Sequence, residues 1–242
     1  MQLLFLAVSF LTILPVPQVP FIEGGLGRSA RFFPLVGLLV GGIVWGASEL
    51  LINWFSPLVA GVVVVALWSV VTGGLHLDGF ADCCDGLFVP AERERRLEIM
   101  RDPRIGTFGT VGLILLLLLK ASLLATIIPN FDLRPLLMLP PVVGRWLILP
   151  VAAQPAATER GMGANFAQGL DGQTLLVALL LPFGLSLFFG WAGVAVLLAA
   201  HGVGALGVWL GRARIGGVTG DVLGFVVESA EVTGLFMLTL FA

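Results

Sequence analysis

Long apolar runs set the strongest limit on the fold of this chain, because a helix that crosses a bilayer needs roughly 17 to 25 predominantly apolar residues. Seven segments meet or approach that length, and the fifth and sixth come from one run that is too long for a single crossing. The predicted spans are residues 35–55, 58–75, 106–128, 133–153, 174–190, 192–211 and 222–242. We therefore expect an all-α polytopic membrane bundle, one domain over residues 1–242, with a short membrane-associated segment at residues 1–14.

The scarcity of charged side chains supports the same class. Hydrophobic residues make up 58% of the chain and charged residues 12%, whereas soluble domains carry about 25% charged residues. The 13 basic and 15 acidic side chains could not cover the surface of a soluble protein of 242 residues, so lipid must cover much of it. The net charge of −2 argues against a nucleic-acid partner, since phosphate-backbone readers need a dense basic surface.

The positions of the basic residues predict the orientation in the membrane, because cytoplasmic loops are enriched in Lys and Arg. If residues 76–105 are cytoplasmic, alternation of the spans makes 15–34, 154–173 and 212–221 cytoplasmic as well. These four segments hold ten of the thirteen basic residues, namely Arg28, Arg31, Arg93, Arg95, Arg96, Arg101, Arg104, Arg160, Arg212 and Arg214. We expect a multi-pass protein of the cell (inner) membrane whose polar surface faces the cytoplasm.

An acidic motif follows the second predicted span. Asp78, Asp82 and Asp85 are spaced i, i+4 and i+7, which places three carboxylates within about a 60° arc of a helix. Like charges at these spacings repel one another, and a hard divalent cation such as Mg²⁺ or Mn²⁺, which takes carboxylate oxygen and shares substrate phosphate, would relieve the repulsion. The alternative is a solvated helix face, although the first basic residue after the motif is Arg93.

We predict different roles for three other side chains of this motif. His76 would lie roughly opposite the carboxylates on an ideal helix, so it either precedes the helix or marks the membrane boundary, and a direct metal role stays open. Cys83 and Cys84 fall on the back of the same helix, where small apolar residues pack.

Two further polar segments are candidates for binding phosphate. In the stretch Arg93–Gly109, the apolar residues Leu97, Ile99 and Met100 are compatible with a helix that lies on the membrane interface and is broken by Pro103. The arginines Arg96, Arg101 and Arg104 either bind phosphates through their guanidinium groups or only orient the chain in the membrane. The second segment is a turn before the last predicted span, where glycines let backbone amides approach an anion; its candidate residues are Gly216, Gly217, Thr219, Gly220 and Asp221.

Apart from Arg134 at the edge of the span 133–153, five charged residues fall inside predicted spans, where an unpaired charge is costly. We expect Glu49 to form a structural pair between helices. Glu228 and Glu231 share a helix face and could be neutralised by Arg145 or Lys120, although a polar substrate cavity is an equal alternative for these four.

Taken together, these segments resemble the cobalamin-5′-phosphate synthase family, also called adenosylcobinamide-GDP ribazoletransferase. The resemblance covers the whole chain and rests on the ordered stretches Ser9–Pro17, Phe33–Gly37, Gly74–Gly86, Leu97–Gly109 and Gly216–Gly224, of which Gly74–Gly86 is the most specific. Ile13 departs from the family, which commonly has a basic residue there, and Phe80 and the cysteine pair occupy tolerant positions.

The resemblance implies a membrane transferase. A ribose hydroxyl of α-ribazole, or of its 5′-phosphate, attacks the cobinamide-side phosphorus of adenosylcobinamide-GDP, and GMP leaves. It implies Mg²⁺ as cofactor, with Asp78, Asp82, Asp85 and Asp221 as metal ligands. Catalytic roles then fall to His76, Asp82 and Asp221, while the three arginines and the glycine turn bind the diphosphate and GMP. The expected partners are these two substrates and the lipid bilayer; a homo-oligomer or a corrinoid-assembly complex is left open.

Three other functions are weighed against this one. A CDP-alcohol phosphotransferase of lipid metabolism also carries Asp residues on a membrane helix, but its pattern has an Ala-Arg pair where Ala81 is followed here by Asp82. A secondary transporter would explain the charges within the spans, although no matched pair of interrupted helices is visible. A noncatalytic scaffold leaves the acidic motif unexplained.

Overall fold

The computed structural model describes residues 1–158, 166 and 168–242, and this part of the chain is helical apart from loops and one parallel β-bridge between Ala156 and Val218. Arg160, one of the basic residues used to predict orientation, lies outside the described residues. The helices are α1 (Gln2–Leu11), α2 (Gly25–Ser29), α3 (Phe33–Leu51), α4 (Pro57–Val71), α5 (Leu75–Leu87), α6 (Arg93–Ile99), α7 (Thr107–Ile127), α8 (Leu139–Ala152), α9 (Gly172–Phe188), α10 (Gly190–Ile215) and α11 (Gly220–Thr239). Short 3₁₀ turns over Ala30–Phe32 and Arg134–Met138 lead into α3 and α8.

The predicted all-α membrane bundle is confirmed, and the number of spans is refined. Five helical stretches are long and apolar enough to cross a bilayer: Gly25–Leu51, Thr107–Ile127, Arg134–Ala152, Gly190–Ile215 and Gly220–Thr239. Helices α4 and α5 would make a sixth crossing only as a pair bent by 95°. The remaining predicted span corresponds to α9, which has 17 residues. The predicted N-terminal segment forms α1, whose 10 residues are too few to span.

Helix α11 lies at the centre of the bundle and packs against α5, α7, α8 and α10. Close approach between helices elsewhere depends on small residues. On α3, a Cβ added at Gly37 would lie 2.5 Å from the carbonyl oxygen of Pro141, and one added at Gly41 would lie 2.6 Å from Cα of Met138. These glycines let α3 contact the start of α8 backbone to backbone, as is common in helix pairs within membranes.

The charges within the spans pair with one another, which decides between the two alternatives left open for Lys120, Arg145, Glu228 and Glu231. Lys120 Nζ on α7 lies 2.6 Å from carboxylate oxygens of both Glu228 and Glu231 on α11, and Arg145 on α8 pairs with Glu231. All four side chains are buried. Glu49 on α3 forms its predicted interhelical pair with Arg134. These ion pairs tie α11 to α7 and α8 in the interior of the bundle.

The four segments predicted to share one side of the membrane contact one another in the structure. Arg93 at the start of α6 donates hydrogen bonds to the carbonyls of Ile215 (2.8 Å) and Ala157 (2.9 Å). The β-bridge joins residues 155–157 to Val218, and Gly27 packs against the backbone around Gln168. The chain therefore gathers its polar loops at one end of the bundle.

Candidate active site

A sharp corner between α4 and α5 starts the acidic motif. Gly73 and Gly74 have φ angles of 61° and 68°, in the left-handed region that glycine adopts without strain. They allow the 95° bend, so that α5 leaves the direction of α4 and carries Asp78, Asp82 and Asp85 across the end of the bundle. Helix α5 is not one of the five spanning helices. The three carboxylates lie on one helix, as predicted, and the bend between α4 and α5 determines the direction in which that helix runs.

Helices α5 and α11 cross with their backbones in contact. A Cβ added at Gly79 would lie 2.9 Å from Cα of Asp221, and one added at Gly224 would lie 3.0 Å from the carbonyl oxygen of His76. Because any side chain at these two positions would separate the helices, the crossing depends on glycine at both. The crossing brings Asp221, which is far away in sequence, to the face of α5 that carries Asp78 and Asp82.

The carboxylates around this crossing perturb one another electrostatically. Burial, followed by the charges of Asp221, Asp78 and Asp85, raises the pKa of Asp82 to about 7. Among the described residues, no basic side chain forms an ion pair with Asp78, Asp82 or Asp221. This part of the protein therefore carries excess negative charge that a bound cation would neutralise.

Asp85 makes different contacts from the other acidic residues. Its two carboxylate oxygens accept hydrogen bonds from the backbone N–H groups of Gly106 (2.7 Å) and Gly109 (2.9 Å) at the start of α7. A Cβ at either glycine would lie 2.4 Å from a carboxylate oxygen of Asp85. The carboxylate thus binds the positive end of the α7 dipole and fixes α5 to α7. Because both of its oxygens accept these hydrogen bonds, we revise the expectation that Asp85 is a metal ligand to a structural role.

The carboxylates at the crossing are chemically suited to a hard cation, but they do not form a complete metal-binding site by themselves. Over residues 1–158, 166 and 168–242, no three His, Cys, Asp or Glu side chains are close enough together to hold a metal ion. Three carboxylates from two crossing helices are nonetheless the ligands that Mg²⁺ prefers, and Mg²⁺ sites usually include water and substrate phosphate. Asp78, Asp82 and Asp221 are the residues that could supply such a partial coordination sphere.

A cavity of about 230 Å³ lies beside the crossing. Its polar wall contains Asp78, Asp221, Thr219 and Arg101. The predicted catalytic residue His76 also lines the cavity, one turn before Gly79 on α5. Its side chain is 4% exposed and its Nδ1 has no hydrogen-bond partner. Burial, then the nearby cations of Arg145 and Lys120, lower the pKa of His76 well below its usual value, which keeps the ring neutral.

The three predicted phosphate-binding arginines lie in three different environments. Arg101 lines the cavity. Arg104 is exposed and forms a bidentate ion pair with Asp102, in which Nε and Nη2 donate to the two carboxylate oxygens at 2.9 and 2.7 Å. These hydrogen bonds lower the pKa of the Asp102 carboxyl to about 2. Arg96 is buried and donates to the carbonyls of Ala91, Gly86 and Leu87. Since its guanidinium closes the C-terminal end of α5, we revise the prediction for Arg96 to a structural one.

The glycine turn before α11 also divides into structural and cavity-lining residues. Gly216 ends α10 with φ 80°, and Gly217 packs so closely that a Cβ would lie 2.5 Å from the carbonyl oxygen of Pro155. Thr219 and Gly220 line the cavity. The Thr219 hydroxyl caps α11 by accepting from Val222 N (3.4 Å) and lies 3.2 Å from an Asp221 carboxylate oxygen. The turn thus fixes Asp221 at the start of the helix.

The contacts of Arg93 were not predicted from the sequence, whereas the burial of the two cysteines was. Arg93 joins α6, α10 and the 155–157 segment, which only the folded loops reveal. The cysteines Cys83 and Cys84 are free thiols buried on the back of α5, as predicted.

Comparison with known proteins decides the family. The sequence model of the family described as cobalamin-5-phosphate synthase matches residues 3–239. The chain belongs to this cobalamin-5-phosphate synthase family. Similar relatives are the adenosylcobinamide-GDP ribazoletransferases of Roseiflexus sp. (strain RS-1), 40% identical over 98% of this chain and 88% of that protein, and of Brevibacillus brevis, 33% identical over 96% and 95%. The enzyme of that name from Geotalea daltonii is 38% identical over 98% and 97%. No solved structure matches the chain.

Family membership makes the protein an enzyme of the transferase class that acts in cobalamin synthesis. The match covers the site as well as the spans, since residues 3–239 include α5, α6, the glycine turn and α11.

Proposed function

We propose that this member of the cobalamin-5-phosphate synthase family transfers the adenosylcobinamide phosphate group from adenosylcobinamide-GDP to α-ribazole or α-ribazole 5′-phosphate and releases GMP, with Mg²⁺ as cofactor. The observation that carries the proposal is the cavity wall where Asp78 and Asp221 meet Arg101 and Thr219. Carboxylates next to a guanidinium and a hydroxyl suit a diphosphate, because phosphoryl transfer needs mainly positioning and neutralisation of charge.

We assign different roles to the four aspartates in this proposal. Asp78, Asp82 and Asp221 would hold Mg²⁺, which when bound supplies positive charge to the diphosphate oxygens and to the leaving GMP. Arg101, in the same polar wall, would bind a diphosphate oxygen. Asp85 fixes α5 to the start of α7 and so keeps Asp82 in position.

The chemical step is the formation of one P–O bond and the cleavage of another. The attacking ribose hydroxyl bonds to the cobinamide-side phosphorus, and the bond from that phosphorus to the GMP oxygen breaks. We assign the hydroxyl proton to a carboxylate at the helix crossing, Asp221 or Asp82, because these groups border the cavity or lie beside it. Neutral His76 lines the same cavity and can accept a hydrogen bond from the hydroxyl.

The proposed location is the cell (inner) membrane, with the site on the cytoplasmic side. The gathering of the basic loop segments at one end of the bundle supports this orientation. Cysteine labelling tests it: Arg95→Cys and Arg214→Cys should react with a membrane-impermeant thiol reagent only after the membrane is opened. Labelling of intact cells at either position contradicts the orientation.

No observation favours the alternative functions. The family match is to a transferase of cobalamin synthesis, and the intramembrane charges that motivated a transporter form buried ion pairs. A lipid CDP-alcohol phosphotransferase is tested by supplying a CDP-alcohol in place of adenosylcobinamide-GDP and measuring the release of CMP, the leaving group of that donor.

The decisive experiment measures GMP release by the purified protein in detergent, given adenosylcobinamide-GDP, α-ribazole and Mg²⁺. Asp82→Asn should reduce turnover by orders of magnitude and raise the Mg²⁺ concentration needed for half-maximal activity. Glu94→Gln, an exposed acidic residue on α6, is the matched control and should behave as the wild type. Absence of GMP release from folded protein contradicts the proposed function, and full activity of Asp82→Asn removes that residue from the metal set.

A further inference from the structure

The cavity beside the carboxylates has a second, apolar wall that phosphoryl transfer does not require. Leu75 on α5, Ile148 on α8, Phe10 on α1 and Phe166 all line it. Ile148 and Phe166 are 2% and 1% exposed, so this wall belongs to the packed interior. A binding site for diphosphate alone would need no such surface.

The aromatic part of this apolar wall is held in place by contacts between aromatic rings. The rings of Phe10 and Phe166 both pack on Phe33 of α3, with centroid distances of 5.8 and 5.5 Å. Aromatic groups packed on one another in this way keep a fixed orientation and offer flat contact area at little entropic cost. The wall is therefore suited to a flat, apolar ligand group.

The size of the cavity limits which part of the substrates can enter it. At about 230 Å³ it is smaller than the roughly 300–1,000 Å³ pockets that enclose drug-sized ligands. A corrin macrocycle is too large and must stay outside. Guanine and the adenine of the adenosyl group carry several hydrogen-bonding groups, which a wall of Leu, Ile and Phe would leave unpaired at a cost. The remaining flat group is the aromatic base of the acceptor nucleoside.

The spacing along α5 suits such a ligand. Leu75 precedes Asp78 by three residues, a rise of about 4.5 Å along the helix. A base against Leu75 would therefore place its attached ribose beside the carboxylates, where a hydroxyl is needed. His76 follows Leu75 in sequence and lines the same cavity, and its buried Nδ1 has no hydrogen-bond partner.

We propose that Phe10, Leu75, Ile148 and Phe166 bind the heteroaromatic base of the acceptor nucleoside and so determine which base the enzyme accepts. This inference rests on the proposed function for the identity of the acceptor. It assigns to α1, a helix too short to span the membrane, a wall of the substrate site.

The test compares two acceptors in the GMP-release assay, α-ribazole and the otherwise identical riboside of benzimidazole without its two methyl groups. A missing methyl contact in an apolar pocket changes specificity about tenfold or more. The wild type should favour α-ribazole by at least about tenfold in kcat/KM. Ile148→Ala should raise KM for α-ribazole about tenfold, reduce the preference, and leave KM for adenosylcobinamide-GDP within about twofold. Leu118→Ala, on the exposed face of α7, is the matched control.

A second variant and a binding measurement keep the inference separate from the proposed function. Leu75→Phe narrows the cavity and should raise KM for α-ribazole more than for the smaller riboside. This variant tests whether the apolar wall binds the base even if Ile148→Ala fails to fold. Calorimetry with α-ribazole and no donor should show binding with a negative heat-capacity change, weakened in both variants. Unchanged acceptor binding, or an effect on the donor alone, overturns the inference. Binding without turnover contradicts the proposed function only.

Discussion

The crossing of α5 and α11 is the part of the site whose geometry is most sensitive to a single methyl group. Gly79→Ala would place a Cβ 2.9 Å from Cα of Asp221 and 3.0 Å from its carbonyl oxygen, and both are backbone atoms that cannot rotate away. The nearer contact is 0.5 Å shorter than an ordinary contact of 3.4 Å. The helices must therefore move apart by about that distance, which carries Asp221 away from Asp78 and Asp82.

The expected effect on activity follows from that displacement. A misplacement of 1 Å costs about 100-fold in rate, so we expect Gly79→Ala to lower kcat for GMP release by at least about tenfold. Overpacking of this kind also costs roughly 1–3 kcal/mol of stability. Gly224→Ala, whose Cβ would lie 3.0 Å from the carbonyl oxygen of His76, should act in the same direction. The double variant should be less than additive, because both methyl groups separate the same two helices.

The matched control is Gly42→Ala on α3, where an added Cβ meets nothing within 4 Å. Both substitutions gain the same helix propensity from replacing glycine by alanine, so a difference between them reports on the crossing. Thermal unfolding in detergent establishes that each variant is folded. If folded Gly79→Ala keeps turnover within about threefold of the wild type, close contact at the crossing is not what positions Asp221.

Three further predictions concern the residues around the crossing. Arg101→Ala should raise KM for adenosylcobinamide-GDP about tenfold or more, whereas Arg104→Ala should change it less than about threefold, because its guanidinium is exposed and engaged by Asp102; equal effects would contradict the division between them. Asp85→Asn should lower stability by about 1–3 kcal/mol through the loss of an acceptor for one backbone N–H, with a smaller change in Mg²⁺ requirement than Asp82→Asn causes. Lys120→Met should destabilise the protein by about 3–5 kcal/mol, since it leaves the buried carboxylate of Glu228 unpaired and Glu231 with Arg145 alone; an unchanged melting temperature would show that the pairs of Lys120 are unimportant.

Sequence periodicity predicted the parts of the site that lie on one helix and not those that depend on contacts between helices. The spacing of Asp78, Asp82 and Asp85 placed them on one face, as the helix shows. Their different environments could not be read from spacing, because Asp85 is bound by Gly106 and Gly109 after an intervening helix. Arg96 and Arg101 looked equivalent in sequence for the same reason.

The spans show the same division between local and tertiary information. Hydropathy located each apolar helix, because burial in lipid requires an apolar run whatever its neighbours are. It extended the second span to residue 75, although α4 ends at Val71 and the chain then turns at Gly73 and Gly74. A glycine pair allows a bend but does not require one, and the packing of α5 on α11 and α7 is what selects it here.

The corner between α4 and α5 also explains how a membrane bundle can carry a carboxylate cluster. A straight continuation of α4 would have carried Asp78 and Asp82 along the axis of α4. The 95° bend instead lays α5 across α11, where Gly79 and Gly224 permit contact and Asp221 begins its helix. Since the carboxylates repel one another, the fold must hold them together at a cost, and the buried ion pairs of Glu228 and Glu231 further along α11 fix the helix that carries Asp221. The interior charges and the site charges are therefore connected through one rigid helix.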